Sequence, residues 1–260
     1  MAVDQPDLTG APYPGAPVTY AEARDSGVPL KRMRWGLADV AISMLLAVIV
    51  PVIVLSVMAA AGVGPGTVPF FLATFTTPWI GFGVWPWLTT RLQGNGPRID
   101  LGLSFRWSDV GWGLLGGAAC IGLGTLVATI TTLIFGEFGS AAGDAIVDAG
   151  VPKAVVLLVI VLIVTVGPLC EELCFRGLAF AATARFAARM GWAAVPVATV
   201  VSALLFTLIH FEPVRIGVLL VIGLVLSVLR ARTGRLGAPV IAHGVNNAVA
   251  VVELVRILFS

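Results

Sequence analysis

The stretch AVVLLVIVLIVTVGPLCEELCFR, residues 154–176, stays apolar from Ala154 to Cys170 with Thr165 as its one polar interruption. It then presents two adjacent carboxylates, Glu171 and Glu172, and a cation at Arg176. A bilayer core of about 30 Å asks for about 20 apolar residues of helix. This run, taken as 154–175, supplies them, and reading it as a span decides the fold class. Working outward, comparable runs lie near 37–61, 68–90, 109–135, 193–212, 214–230 and 237–258. Gly- and Pro-rich breakers such as Gly62-Val63-Gly64-Pro65-Gly66 and Gln93-Gly94-Asn95-Gly96-Pro97 separate them. The sequence therefore predicts an all-α integral membrane protein of about seven transmembrane helices, six at fewest and eight at most.

Composition agrees. Of 260 residues, 58% are hydrophobic and 12% charged, with a mean hydropathy of +1.00, whereas soluble domains carry about 25% charged residues. A net charge of +2 spread along the chain is too small for a nucleic-acid surface, and no nucleic-acid partner is expected. Cys120, Cys170 and Cys174 fall inside apolar runs and read as reduced core residues rather than a disulfide framework. Residues 1–33 place Pro6, Pro12, Pro14, Pro17 and Pro29 among Asp, Gly and Thr, which reads as a disordered cytoplasmic tail. The first apolar run begins only near Leu37, unlike a signal peptide. A three-helix membrane region, 34–150, and a membrane core, 151–260, would follow.

Lys and Arg of short loops are retained inside. With the N-terminus inside, Arg24, Lys31, Arg32, Arg34, Arg91, Arg98, Arg106, Arg176, Arg185, Arg189, Arg230, Arg232 and Arg235 fall on the inner side, against Lys153, Arg215 and Arg256 outside. The expectation is a multi-pass protein of the plasma membrane with a cytoplasmic N-terminus.

Ionisable groups at membrane depth cost about 2.5–3.5 kcal/mol each, so Glu171, Glu172, His210 and His243 each ask for a reason. They are both histidines and the one adjacent carboxylate pair of the chain. On a helix Glu172 and Arg176 sit one turn apart on one face, while Glu171 lies about 100° round and is free to act elsewhere. That makes Glu171 the better general-base candidate. His243 and Asn247 are again four apart, with Asn246 close to their face, and His210 closes Phe206-Thr207-Leu208-Ile209-His210. Taken singly, each reads equally well as a polar pin between helices.

A distance test favours convergence. Gly177 to Met190 lacks proline and is rich in Ala and Arg, so the fourth helix is expected to run on to a turn at Gly191. That hairpin sets Glu171 level with His210, about 29 Å below its tip, and His243 lies roughly 13 Å below the turn at Thr233-Gly234. All three meet if the hairpin protrudes about 15 Å from the membrane, in a site open to the cytoplasm.

Glu-Glu-x-x-x-Arg at Glu171, Glu172 and Arg176, Phe-x-x-x-His at Phe206 and His210, and His-x-x-x-Asn at His243 and Asn247 stand in this order. In them residues 150–258 resemble the CPBP family, the CAAX proteases and bacteriocin-processing intramembrane proteases, similar to the type II CAAX prenyl endopeptidases. The resemblance implies an intramembrane endopeptidase whose catalytic core is formed by the last four helices. Its substrate would be a peptide or protein, prenylated or otherwise lipid-associated. Glu171 would be the general base that activates water, with Glu172, Arg176, Phe206 and Asn246 in support. His210 and His243 would hold the water or stabilise charge, and Asn247 would be an oxyanion donor.

Family members are often named metalloproteases, and Glu171, His210 and His243 would make a zinc set with one position left for water. The same residues also work without metal, and His-Glu-x-x-His is absent, so both readings stand. Two other classes would keep such helices: a non-catalytic scaffold or bacteriocin self-immunity protein, and a proton-coupled transporter. A transporter should show two related halves with broken spans, a repeat the sequence lacks. Trp79, Trp85, Trp87, Trp107, Trp112 and Trp192 read as interfacial anchors or as the lining of a lipid-side entry.

Overall fold

The computed structural model describes residues 20–259, so residues 1–19 of the expected tail lie outside the described part. Seven helical rods follow one another: α1 (Leu37–Ala60), α2 (Val68–Gln93), α3 (Ser108–Phe135), α4 (Lys153–Arg189), α5 (Ala194–Leu208), α6 (Ile216–Thr233) and α7 (Gly237–Phe259). No strand occurs among the described residues. Five of the rods are long and apolar enough to cross a bilayer, whereas α5 and the apolar part of α7, Gly237–Val252, are shorter. The fourth rod runs on past Arg176 as expected, to a turn at Gly191, whose φ of +73° a side-chain-free residue adopts without strain.

The tail expectation needs correcting from Tyr20 onward. Tyr20–Asp25 is helical and Ala23 is fully buried. The cause is polar: Asn95 accepts from the Lys31 N–H at 2.7 Å and donates to its carbonyl at 3.2 Å, and the Arg34 N–H donates to the Gln93 carbonyl at 2.8 Å. Docking of this kind leaves no apolar period in the sequence.

Lipid tails are as apolar as leucine, so rods in a bilayer associate through close contact of small residues and through polar pins. Both are present. The α3 glycines Gly113, Gly116 and Gly117 lie so close to Ile241, Leu229 and Val245 that a methyl group on any of them would come within 2.6 Å of a side-chain atom. Asp109, fully buried at the start of α3, accepts from Arg235 Nη2 at 2.7 Å and Nε at 3.2 Å, fixing α3 to the turn between α6 and α7. In the α4–α5 hairpin the Ser202 hydroxyl donates to the Phe175 carbonyl at 2.9 Å and the Phe175 and Phe206 rings meet edge-on at 5.3 Å. This is close to the register in which residue 171 comes level with residue 210.

Rod α2 is interrupted after Thr76 and resumes through a π-helical turn, Ile80–Val84. There it crosses α1 at van der Waals limit: the Ser43 hydroxyl donates to the Gly81 carbonyl at 2.7 Å, and a Cβ on Gly81 would lie 2.3 Å from Ala47 N and 2.4 Å from the Ser43 carbonyl oxygen. Backbone cannot swing aside as a side chain can. Gly81→Ala should therefore cost about 1–3 kcal/mol, the range for overpacking. Gly111→Ala on α3, where nothing lies within 4 Å, should be neutral. Thermal unfolding of the two variants in detergent micelles checks the contrast, and equal melting temperatures would remove the argument.

Candidate active site

The site grows from two irregularities in α4. The helix breaks at Thr165, and Pro168 has no N–H to return to the Val164 carbonyl. Rod α7 closes over this break. Gly244 sits where a Cβ would fall 2.9 Å from the Val164 carbonyl oxygen, and Asn247 Nδ2 donates to the Ile163 carbonyl at 3.1 Å. Beyond the break, Leu173–Ala179 is π-helical, a local widening that recurs at functional sites. Its residues, with Glu172 before it and Phe180 after it, are all buried.

Glu172 is the hub. Its Oε1 accepts from Arg176 Nη1 at 2.9 Å and lies 2.9 Å from His243 Nδ1, and both charged side chains are fully buried. A carboxylate can only accept, so the imidazole donates from Nδ1 and its Nε2 is left to face elsewhere. It faces Glu171, whose Oε2 stands 3.8 Å away. Arg176 is held from three further sides: Nη2 donates to the Gly223 carbonyl at 3.0 Å, the Phe206 ring lies 4.6 Å beneath the guanidinium, and the Arg176 carbonyl accepts from Arg230 Nε at 2.9 Å.

Phe206 also carries both imidazoles. Its ring centroid is 4.7 Å from that of His210 and 5.7 Å from that of His243. His210 Nδ1 lies 2.6 Å from the Phe206 carbonyl, which again fixes Nδ1 as the donor. The structure thus brings Glu171, Glu172, Arg176, Phe206 and His243 into one cluster with His210 on its ring. Asn247 stands one turn from His243, with one amide hydrogen on Ile163 and its Oδ1 accepting from Asn246 Nδ2 at 3.3 Å. Asn247 is therefore first a clasp on the α4 break.

The zinc set drawn from the sequence does not fit this arrangement. The two Nε2 atoms are of the kind that bind metal, with Nδ1 anchored behind them. Yet among the described residues no three His, Cys, Asp or Glu side chains gather closely enough to hold an ion. Only Glu171 and His243 approach each other, and His210 is tied back to its own helix.

Sequence reasoning passed over Ser43, whose hydroxyl also lies 3.2 Å from Cys174 Sγ and links α1 to the π-helical stretch. A lone serine in an apolar run gives no signal until its partners are known.

Residues 153–249 match the family model described as type II CAAX prenyl endopeptidase Rce1-like. Neither a curated protein nor a solved structure matches the chain. The matched segment holds α4, α5, α6 and most of α7, and every residue of the cluster just described. Over these residues the chain is similar to the Rce1-like type II CAAX prenyl endopeptidases.

Proposed function

We propose that this chain is an intramembrane endopeptidase in which Glu171 and His243 activate one water between them. The observation that carries the reading is the 3.8 Å gap between Glu171 Oε2 and His243 Nε2, with Glu172 anchoring the far side of the imidazole. Glu171 Oε2 is buried with no hydrogen-bond donor in the protein, so its lone pairs are free for a water.

Charge counting supports the chemistry. Two carboxylates and one guanidinium leave the buried cluster one negative charge in excess, and uncompensated charge in a low dielectric is costly. In the reaction we assign, Glu171 acts as the base and His243, donating from Nε2 as well as Nδ1, acts as the acid. Glu171 takes a proton from water as the water oxygen bonds to the scissile carbonyl carbon. His243 Nε2–H and the second amide hydrogen of Asn247 donate to the oxyanion. The C–N bond then breaks and the leaving nitrogen takes the proton from Glu171. Hydrolysis balances with no covalent intermediate and no step through a metal.

The substrates we assign are peptides carrying a prenyl or other lipid group at a C-terminal cysteine, entering from the arginine-rich end, which we place in the cytoplasm. The test uses purified protein in lipid vesicles with prenylated and unprenylated peptides, product masses being read in ¹⁸O-labelled water. Expected are cleavage of the prenylated peptide, one heavy oxygen in the new carboxyl group, persistence under a chelator and loss in His243→Ala. Wild-type protein that cuts neither peptide, or His243→Ala that cuts at the wild-type rate, overturns the reading.

A further inference from the structure

Gly223, Ser227 and Arg230, at i, i+4 and i+7 on α6, share one face of the rod, and that face grips the widened turn of α4. The Gly223 carbonyl accepts from Arg176 Nη2 at 3.0 Å. The Ser227 hydroxyl donates at 3.4 Å to that of Ser202, which donates in turn to the Phe175 carbonyl at 2.9 Å. Arg230 Nε donates to the Arg176 carbonyl at 2.9 Å. This last contact answers a need that the widening itself creates. In an α-helix the Phe180 N–H would return to the Arg176 carbonyl, four residues back. Here it goes to the Phe175 and Gly177 carbonyls instead. Arg176 is fully buried, and a buried carbonyl left without a donor costs about as much as a lost hydrogen bond. Arg230 supplies the donor.

Arg230 is itself fixed. Its Nη1 donates to the Gly234 carbonyl just past the end of α6, and Gly102, on the segment after α2, comes so close that a Cβ there would lie 2.4 Å from Nη1. From the Arg176 backbone the grip passes to the chemistry: Arg176 Nη1 holds Glu172 Oε1, and the same oxygen holds His243 Nδ1, each at 2.9 Å. We infer that Arg230 is a positioning residue for His243, acting through the Arg176 carbonyl and Glu172 to aim the imidazole Nε2 at the water. The inference rests on the assignment of Glu171 and His243 as the water-activating pair. It turns on one atom, the Nε–H, and not on the charge. Lysine keeps the charge but carries a methylene where arginine carries Nε, whereas glutamine loses the charge and sets its amide nitrogen, a donor, at the place of Nε.

The test measures kcat and KM of the full chain on the prenylated peptide, with a melting curve for each variant. Arg230→Lys should lower kcat about 10-fold to 10²-fold with KM within about twofold, the signature of a displaced catalytic group. Arg230→Gln should keep kcat within about fivefold of the wild type. Thr89→Val, which loses a buried hydroxyl that donates at 2.7 Å to Asp39 of α1 rather than to the widened turn, should lower the melting temperature and leave kcat within about twofold. Nuclear magnetic resonance of ¹⁵N-histidine-labelled protein in micelles reads the imidazole without any substrate. The Nδ1–H signal of His243, identified by its absence from His243→Ala, should move in Arg230→Lys and stay in place in Arg230→Gln. Wild-type protein that cuts no peptide overturns the peptidase reading, and this signal then still decides whether Arg230 aims His243. An unmoved signal in Arg230→Lys, a kcat of Arg230→Lys above that of Arg230→Gln, or equal loss of kcat in Arg230→Lys and Thr89→Val overturns the inference.

Discussion

Glu171→Gln should lower the rate of peptide cleavage by about 10²–10⁴-fold, the contribution of a positioned general base, while the protein stays folded. The two halves of this result have different physical origins. Glu171 stands outside the Glu172–Arg176 pair, its side chain is 21% exposed, and its Oε2 receives no hydrogen bond from the protein. Exchange for the isosteric amide breaks no hydrogen bond within the protein and gives up only the 3.8 Å approach to His243, so the stability change should stay within about 1 kcal/mol. For catalysis the same exchange is severe twice over. It removes the base, and it removes the negative charge that faces His243 Nε2 at 3.8 Å. Glu171→Asp keeps the charge and draws the carboxylate back by one methylene. A misplacement of about 1 Å can cost 10²-fold, so this variant should keep measurable activity above that of Gln. Rates from product masses together with a melting curve decide the matter. A Glu171→Gln protein that cuts within tenfold of the wild-type rate takes the water-activating role away from this residue, whatever else the cluster does.

What could be read in advance follows from how far apart in sequence the partners stand. Spans of one composition and the one-turn pair of Glu172 and Arg176 rest on helix periodicity and chain length, and these survive folding. The straight α4 assumed in that reading does not, because Thr165 and Pro168 break the rod and Leu173–Ala179 widens it. The contacts that pin the bundle join residues far apart: Ser43 to Gly81, Trp35 to Asp100 and Asp109 to Arg235. Each is an ordinary polar residue in sequence and acquires its meaning only from a partner on another rod. Asn247 shows the same limit within a motif. Its spacing from His243 suggests an oxyanion donor, and the fold reveals that one of its two amide hydrogens already closes the α4 break.

Removing the cation at the centre of the cluster should have the largest effect on stability. Arg176 is fully buried, and with it gone the fully buried Glu172 carboxylate keeps only His243 as a donor. Breaking one side of a buried pair costs about 3–5 kcal/mol, chiefly because the other charge is left uncompensated. Arg176→Ala also empties space above the Phe206 ring and frees the Gly223 carbonyl, so its melting temperature should fall further than that of Gly81→Ala. The double variant Glu172→Gln with Arg176→Met separates charge from shape. Replacing both ionic partners by neutral groups of similar volume is often close to neutral for stability, so the double variant should recover most of what Arg176→Ala loses. It should nonetheless remain inactive, because a neutral amide behind Nδ1 no longer stabilises the imidazolium that the proposed mechanism needs. If the double variant is as unstable as the single one, the lost packing of the guanidinium outweighs the stranded charge. If it is stable and cuts substrate at the wild-type rate, Glu172 and Arg176 form a structural clamp and the proton of His243 is governed from elsewhere.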